Sequence, residues 1–166
     1  MLEITAAQGL VLGLLALPVC AWVAYTDLSE MKIRNVAVLA LMALFAVAAP
    51  FVMPLAEYGW RWLQFAAVLA VGFVLHAIRA VGAGDAKFAA AMAPFVAPGD
   101  AAEVGLLFAG LLVVTFVAHR TARAVPAVRG LAPEWQSWHE PKDFPMGITL
   151  AATLVCYLGA AALGLA

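Results

Sequence analysis

The sequence predicts an all-α membrane protein, a six-transmembrane-helix bundle forming a single domain over residues 1–166. Three observations predict it. Of the 166 residues, 66% are hydrophobic and 11% charged, against about 45–50% and 25% in soluble domains, which excludes a water-soluble globular chain. At about 20 residues per crossing, the roughly 110 hydrophobic residues supply five or six spans with little left over. Cutting the chain at its charged residues leaves uncharged runs at 4–26, 35–56, 62–78, 88–99, 104–119 and 144–166.

Five of these runs are long enough to cross a bilayer, and the short run 88–99 is decided by charge. If all six cross, Lys32, Arg34, Arg79, Lys87, Arg120, Arg123, Arg129 and Lys142 share one side and Arg61 stands alone on the other. If the short run fails to cross, the basic residues divide almost evenly, against the tendency of Lys and Arg to stay cytoplasmic. Six spans with both termini outside is therefore the expectation. The fourth span must reach useful length by including residues near Asp85, which places that aspartate at the cytoplasmic boundary.

The first run reads as a retained helix, because Glu3 stands where a secretory signal carries basic residues and the apolar stretch exceeds a usual signal core. Residues 120–145 form one long cytoplasmic, largely irregular segment with Pro126, Pro133, Pro141 and Pro145. Its Trp135 and Trp138 suit an interfacial belt or a contact surface. Cys20 and Cys156 read as buried small hydrophobes, with no C-x-x-C spacing for metal or redox work. His76, His119 and His139 read as interfacial or solvated. A net charge of −1 leaves no basis for a nucleic-acid partner, and neither a metal site nor a cofactor is expected.

No uncharged run contains an acid, so the chemistry must lie at the span ends, and two aspartates meet the same face. Asp27 ends the first span. Asp85 opens the fourth, within Gly82-Ala83-Gly84-Asp85-Ala86-Lys87. Asp85 suits a helix N-cap, a role compatible with catalysis, and Asp27 alone could be a solvated helix end. The two glycines exceed what a cap needs, since lack of a Cβ permits close backbone approach. A pair of acids suits peptide hydrolysis: one carboxylate polarises a water while the other, protonated, supports the carbonyl oxygen and then protonates the leaving amine. Close carboxyl groups hold one proton between them, as this division requires. No Ser-His or Cys-His arrangement competes with the pair.

At these residues the chain resembles the type IV prepilin peptidases, G-x-G-D aspartic proteases, in the short form of tight-adherence (Flp) pilus systems. Asp27 with Lys32-Ile33-Arg34-Asn35 resembles the first family motif, and Gly82, Gly84, Asp85 and Lys87 match G-x-G-D-x-K. Phe144-Pro145-Met146-Gly147 resembles the Pro-x-Gly lead-in to the family's final helix. The resemblance implies Asp27 and Asp85 as catalytic pair, with Gly82, Gly84, Lys87, Lys32 and Asn35 shaping the surrounding loops. It also implies a bacterial inner-membrane location, an active site at the cytoplasmic face, and a pilin-like precursor as substrate. Such a precursor has a short basic leader and a membrane-embedded helix.

Glu30, Glu134, Glu140 and Asp143 are solvated charges or attract that leader. Arg34 replaces the family's usual proline, with Asn35 still available to cap the second helix. The domain with paired C-x-x-C motifs that accompanies N-methylation is absent, so peptidase activity without methyl transfer is expected. Two other classes compete: a small proton-coupled transporter, and a noncatalytic membrane subunit of a pilus or secretion assembly. The transporter lacks its signature of acids near the midplane.

Overall fold

A computed structural model describes residues 2–140 and 143–165, which leaves Pro141 and Lys142 of the long segment outside the described residues. The described residues are helical, without a strand. Six principal helices follow the expected order: α1 (Ala6–Glu30), α2 (Asn35–Ala48), α3 (Leu55–Ala77), α4 (Ala83–Met92), α5 (Ala101–Ala124) and, after the four-residue α6 (Pro126–Arg129), α7 (Met146–Ala162). Among the described residues, three stretches are long and apolar enough to cross a membrane: Ala6–Glu30, Leu55–Ala77 and Pro98–Ala124. The outer faces carry exposed Leu14, Leu39, Val47, Phe73, Leu106 and Val113, an apolar surface suited to lipid rather than water.

Helix α1 starts in a reciprocal cap, Thr5 Oγ1 accepting from the Gln8 amide at 3.2 Å and Gln8 Oε1 from the Thr5 amide at 3.0 Å. It ends where Met31 turns left-handed at φ 53°. The centre of the bundle is the antiparallel pair α1 and α7, with α2 and α4 against them. Phe45, Phe88 and Phe95 fill the space between. Helices α3 and α5 lie outside, where Arg61 and Gly72 are the buried residues of α3, and His119 is that of α5.

Helices in lipid associate by close packing rather than by the hydrophobic effect, which favours small residues at crossings. Gly9 is such a crossing. A Cβ there would stand 2.8 Å from the Ala162 amide nitrogen, the Leu158 carbonyl oxygen and the Ala161 Cβ. Gly9→Val is therefore expected to force α7 away and destabilise the bundle by about 1–3 kcal/mol, seen as a lower melting temperature in detergent. Gly110→Ala, which meets nothing within 4 Å, should melt no lower than wild type; equal melting of the Gly9 variant would refute the close crossing.

The fourth segment solves its length problem with irregular backbone. Ten helical residues rise only about 15 Å. Beyond α4 the chain continues through 3-10 turns at Ala93–Phe95 and Pro98–Asp100, with Val96 and Ala97 extended between them. These conformations gain more length per residue than an α-helix. The segment consequently runs from Asp85, beside the end of α1, to Asp100, which accepts from the Glu3 and Ile4 amides at 2.6 and 3.1 Å at the start of α1.

Irregular backbone in an apolar interior needs partners, and side chains of α3 and α7 supply them. Arg61 Nη1 donates to the Pro94 carbonyl, Gln64 Nε2 to that of Val96, and the Ala97 amide donates to the Tyr157 hydroxyl, which itself donates to Asp100 Oδ2 at 2.7 Å. Arg61, the one basic residue at this end among the described residues, is buried and paired with Glu57 at 2.6 Å.

Several sequence expectations are corrected. The long segment begins later and is less irregular than expected, because α5 continues to Ala124 and is followed by α6 and a 3-10 turn at Gln136–Trp138. Trp138 and His119 are buried rather than interfacial or solvated, because they stack on each other. Cys156 is exposed, because it lies on the outer side of α7, whereas Cys20 is buried as expected.

Candidate active site

Asp27 lies in the last turn of α1, 5% exposed. A carboxylate near a helix C-terminus faces the negative end of the dipole, so it needs donors from elsewhere. They come from the start of α7: the Gly147 amide donates to Asp27 Oδ2 at 2.6 Å across 120 residues, and the Ile148 amide also bonds to it. The carboxylate therefore occupies the positive end of a second helix, whose own preceding residue, Pro145, provides no side-chain cap.

Asp85 is held differently. The N-cap of α4 is Gly82, and Asp85 is the third helical residue, reaching back to accept from the Gly82 amide. This corrects its reading as the N-cap itself, because the backbone turns helical at Ala83, one residue after Gly82. The glycines have separate reasons. A Cβ on Gly82 would come within 2.5 Å of Asp85 Oδ2, and one on Gly84 would lie 3.3 Å from the Cβ of Ile33.

Ile33 is the wedge between the two sites. Its backbone and Cβ lie against Gly84, and its Cδ1 stands 3.0 Å from where a Cβ on Gly147 would be. Ile33 therefore packs against the starts of both α4 and α7, the two helix starts that hold Asp85 and Asp27. Both carboxyl groups thus sit at helix N-termini, those of α7 and α4, converging at one end of the bundle.

The remaining motif residues frame the pair. Lys87 Nζ donates to Asn35 Oδ1 at 3.2 Å, tying the start of α4 to the start of α2. Asn35 therefore does not cap α2; the N-cap is Arg34, without a side-chain bond, because the Asn35 side chain is turned to Lys87. Arg34 has φ −73° and ψ 133°, a backbone that proline also adopts. Its replacement of proline consequently leaves the turn after Ile33 intact, and it adds an ion pair to Glu30 at 2.6 Å. Lys32 is exposed on the same loop.

Beside Asp85 opens a groove of about 650 Å³ between α3, α4, α5 and α7. Its walls are largely small and aliphatic, with Val68, Gly72, Ala89, Val104 and Leu150 among them. Among the described residues lining it, Asp85 carries the one ionisable side chain. Such a site accepts an apolar segment lengthwise and presents a carboxyl group at one end.

Gly147 and Ile33 were the residues whose part in the site could not be read from the chain. The Pro145-Met146-Gly147 lead-in was the available signal, but nothing local says that its amides bond to a residue 120 positions earlier. Comparison with curated proteins and with solved structures yields no match to the chain. Residues 14–121, more than half of the sequence and including both aspartates, match the type IV leader peptidase family, and the chain belongs to that family.

Proposed function

We propose that this protein is an aspartic endopeptidase that removes the short basic leader from type IV or Flp pilin-like precursors, with Asp27 and Asp85 as its reacting pair. The observation that carries the reading is the groove that ends at Asp85, whose helix start meets, through Ile33, the start of α7 that holds Asp27. A precursor with a membrane-embedded helix lays that helix along the groove, and the bond just before the helix falls between the two carboxyl groups.

The reaction needs no nucleophile from the protein. One carboxylate takes a proton from a water as its oxygen attacks the scissile carbonyl carbon, and the other carboxyl donates a hydrogen bond to the developing oxyanion. Collapse of the tetrahedral intermediate breaks the C–N bond as a carboxyl group protonates the leaving amine. The products are the leader acid and the free amino terminus of the mature pilin. Helix N-termini at both carboxyl groups favour the charged member of the pair.

In the membrane, we place all six principal helices across the bilayer, with both termini outside and the aspartates at the cytoplasmic face of the bacterial inner membrane. The run of residues 83–100 along α1 supports the fourth crossing, and the bias of basic residues supports the orientation. Residues 1–166 act as a single peptidase domain, and no methyl transfer is expected from them.

The test is to reconstitute the protein with a candidate Flp or type IV prepilin and weigh the products. Leader release with an unmethylated new amino terminus is expected from the intact precursor. A soluble peptide spanning the same bond without the apolar helix should be cleaved at least about 100-fold more slowly, since remote binding energy is used to position the reacting bond. Equal cleavage of the short peptide would refute the groove as the helix site, and no cleavage of several prepilins would refute the peptidase reading.

A further inference from the structure

The Asp27 carboxylate depends on amides of α7, yet α1 and α7 are separated by almost the whole chain, so tertiary contacts must hold the two helix ends in register. On one side the link is the direct bond to Gly147. On the other side runs a continuous column of rings. Tyr25, two residues before Asp27, meets the edge of Trp135 at 6.2 Å between centroids; Trp135 stacks on Trp138 at 5.6 Å, and Trp138 on His119 at 5.2 Å with 16° between planes. His119 then meets Phe144 edge-on at 5.8 Å. Phe144 is two residues before α7 and three before Gly147, so the column closes a circuit around Asp27.

His119 is the member that joins the halves, and its surroundings say that it acts as a ring. It is 5% exposed, and neither of its nitrogens has a hydrogen-bond partner among the described residues. Phe116, one turn earlier on α5, meets the same Phe144 at 5.5 Å. Around the column, Trp138 Nε1 donates to the Ala132 carbonyl at 2.9 Å, and Arg123 Nη1 to that of Glu140 at 3.1 Å. The first bond braces the segment that carries both tryptophans on itself, and the second holds that segment against α5.

We propose that the column of Tyr25, Trp135, Trp138, His119 and Phe144 sets the register between the end of α1 and the start of α7, with His119 as a positioning residue for Asp27. The proposal rests on the reading of Asp27 as a reacting carboxyl group for its effect on rate, and on geometry alone for its effect on α7. Stacked and edge-on pairs favour defined ring orientations, so the column transmits position from α5 to both helix ends. Removing the His119 ring frees Phe144 and with it the amides of Gly147 and Ile148.

The experiment compares His119→Ala and His119→Phe with wild type in lipid, by prepilin cleavage and by amide hydrogen exchange. His119→Ala should lower kcat roughly 100-fold, the scale of a small misplacement of reacting groups, with KM for the precursor within about twofold, because none of the five rings lines the groove. The Gly147 and Ile148 amides should exchange at least about tenfold faster, while amides around Leu41 in α2 stay protected. His119→Phe should restore both rate and protection.

Unchanged exchange at Gly147 and Ile148 in His119→Ala overturns the proposal, whatever the activity. So does a phenylalanine variant as impaired as alanine, or an effect on KM alone. Phe144→Leu cuts the column elsewhere and should loosen the same two amides; if both variants lose protection throughout, α2 included, the rings are general packing and the proposal fails. A wild type that cleaves no precursor, or an Asp27→Asn variant that cleaves normally, defeats the peptidase reading instead. The exchange comparison still decides the positioning role in that case.

Discussion

Asp27→Asn and Asp85→Asn are each expected to abolish leader removal, with cleavage falling at least about 1,000-fold, within the range that positioned acid–base groups contribute. Asparagine retains the shape of aspartate but cannot take or give the proton that moves between water and leaving amine. The two substitutions also meet different surroundings. At position 27 the amide side chain still has an oxygen for the Gly147 donor, so α7 should stay docked and the protein should accumulate in the membrane normally. At position 85 the same argument holds for the Gly82 amide. The double variant should be no worse than either single one, since residues acting as a unit are not additive. Mass measurement of leader loss, normalised to membrane abundance, checks this. Retention of cleavage within tenfold by either variant would remove that aspartate from the chemistry and leave it as a helix-end partner.

Gly147→Ala should separate activity from stability. Alanine is the better helix former by about 1 kcal/mol, and Gly147 lies inside the first turn of α7. Its Cβ, however, would stand 2.8 Å from Asp27 Oδ2 and 3.0 Å from its Cγ, with Ile33 Cδ1 at 3.0 Å on the other side. The carboxyl group must rotate off its amide donors, or the isoleucine wedge must move from between the aspartates. Cleavage is therefore expected to fall roughly 100-fold, with a melting temperature close to wild type. Gly159→Ala on the same helix meets nothing within 4 Å; it should keep full activity and melt no lower. A Gly147→Ala enzyme of normal rate would mean that the Asp27 carboxyl group reacts from another position.

Much of the arrangement was legible in the chain because lipid imposes simple rules. Uncharged runs bounded by charged residues mark helices: both ends of α1 and α7, the starts of α2 and α5 and the end of α3 fall near the predicted breaks, whereas α2 stops short of its break, α3 starts before its own and α5 runs past its own. The G-x-G-D spacing identified a close backbone approach at the start of α4, and Gly84 against Ile33 is such an approach. The reading failed where a residue's surroundings come from distant parts of the chain. His119 and Trp138 have no local pattern that distinguishes a buried stack from a pair of interfacial side chains. Asn35 has the composition of a cap, but Lys87, 52 residues away, takes its side chain instead. Arg34 departs from proline in chemistry while keeping its φ, a match that only backbone geometry reveals.

By itself, then, the sequence determined an all-helical apolar chain, the order of its helices, and two aspartates placed at helix ends rather than within the apolar runs, as the cost of charge at membrane depth favours. Only the tertiary structure decided how those aspartates are held. Asp27 borrows the N-terminus of α7, Asp85 uses that of its own helix, and Ile33 packs against the starts of both helices. The physical reason is the reach of each interaction. Hydropathy and charge placement act within a segment and leave a trace in its composition, whereas the Gly147 bond and the ring column join residues up to 120 positions apart and depend on how the helices pack.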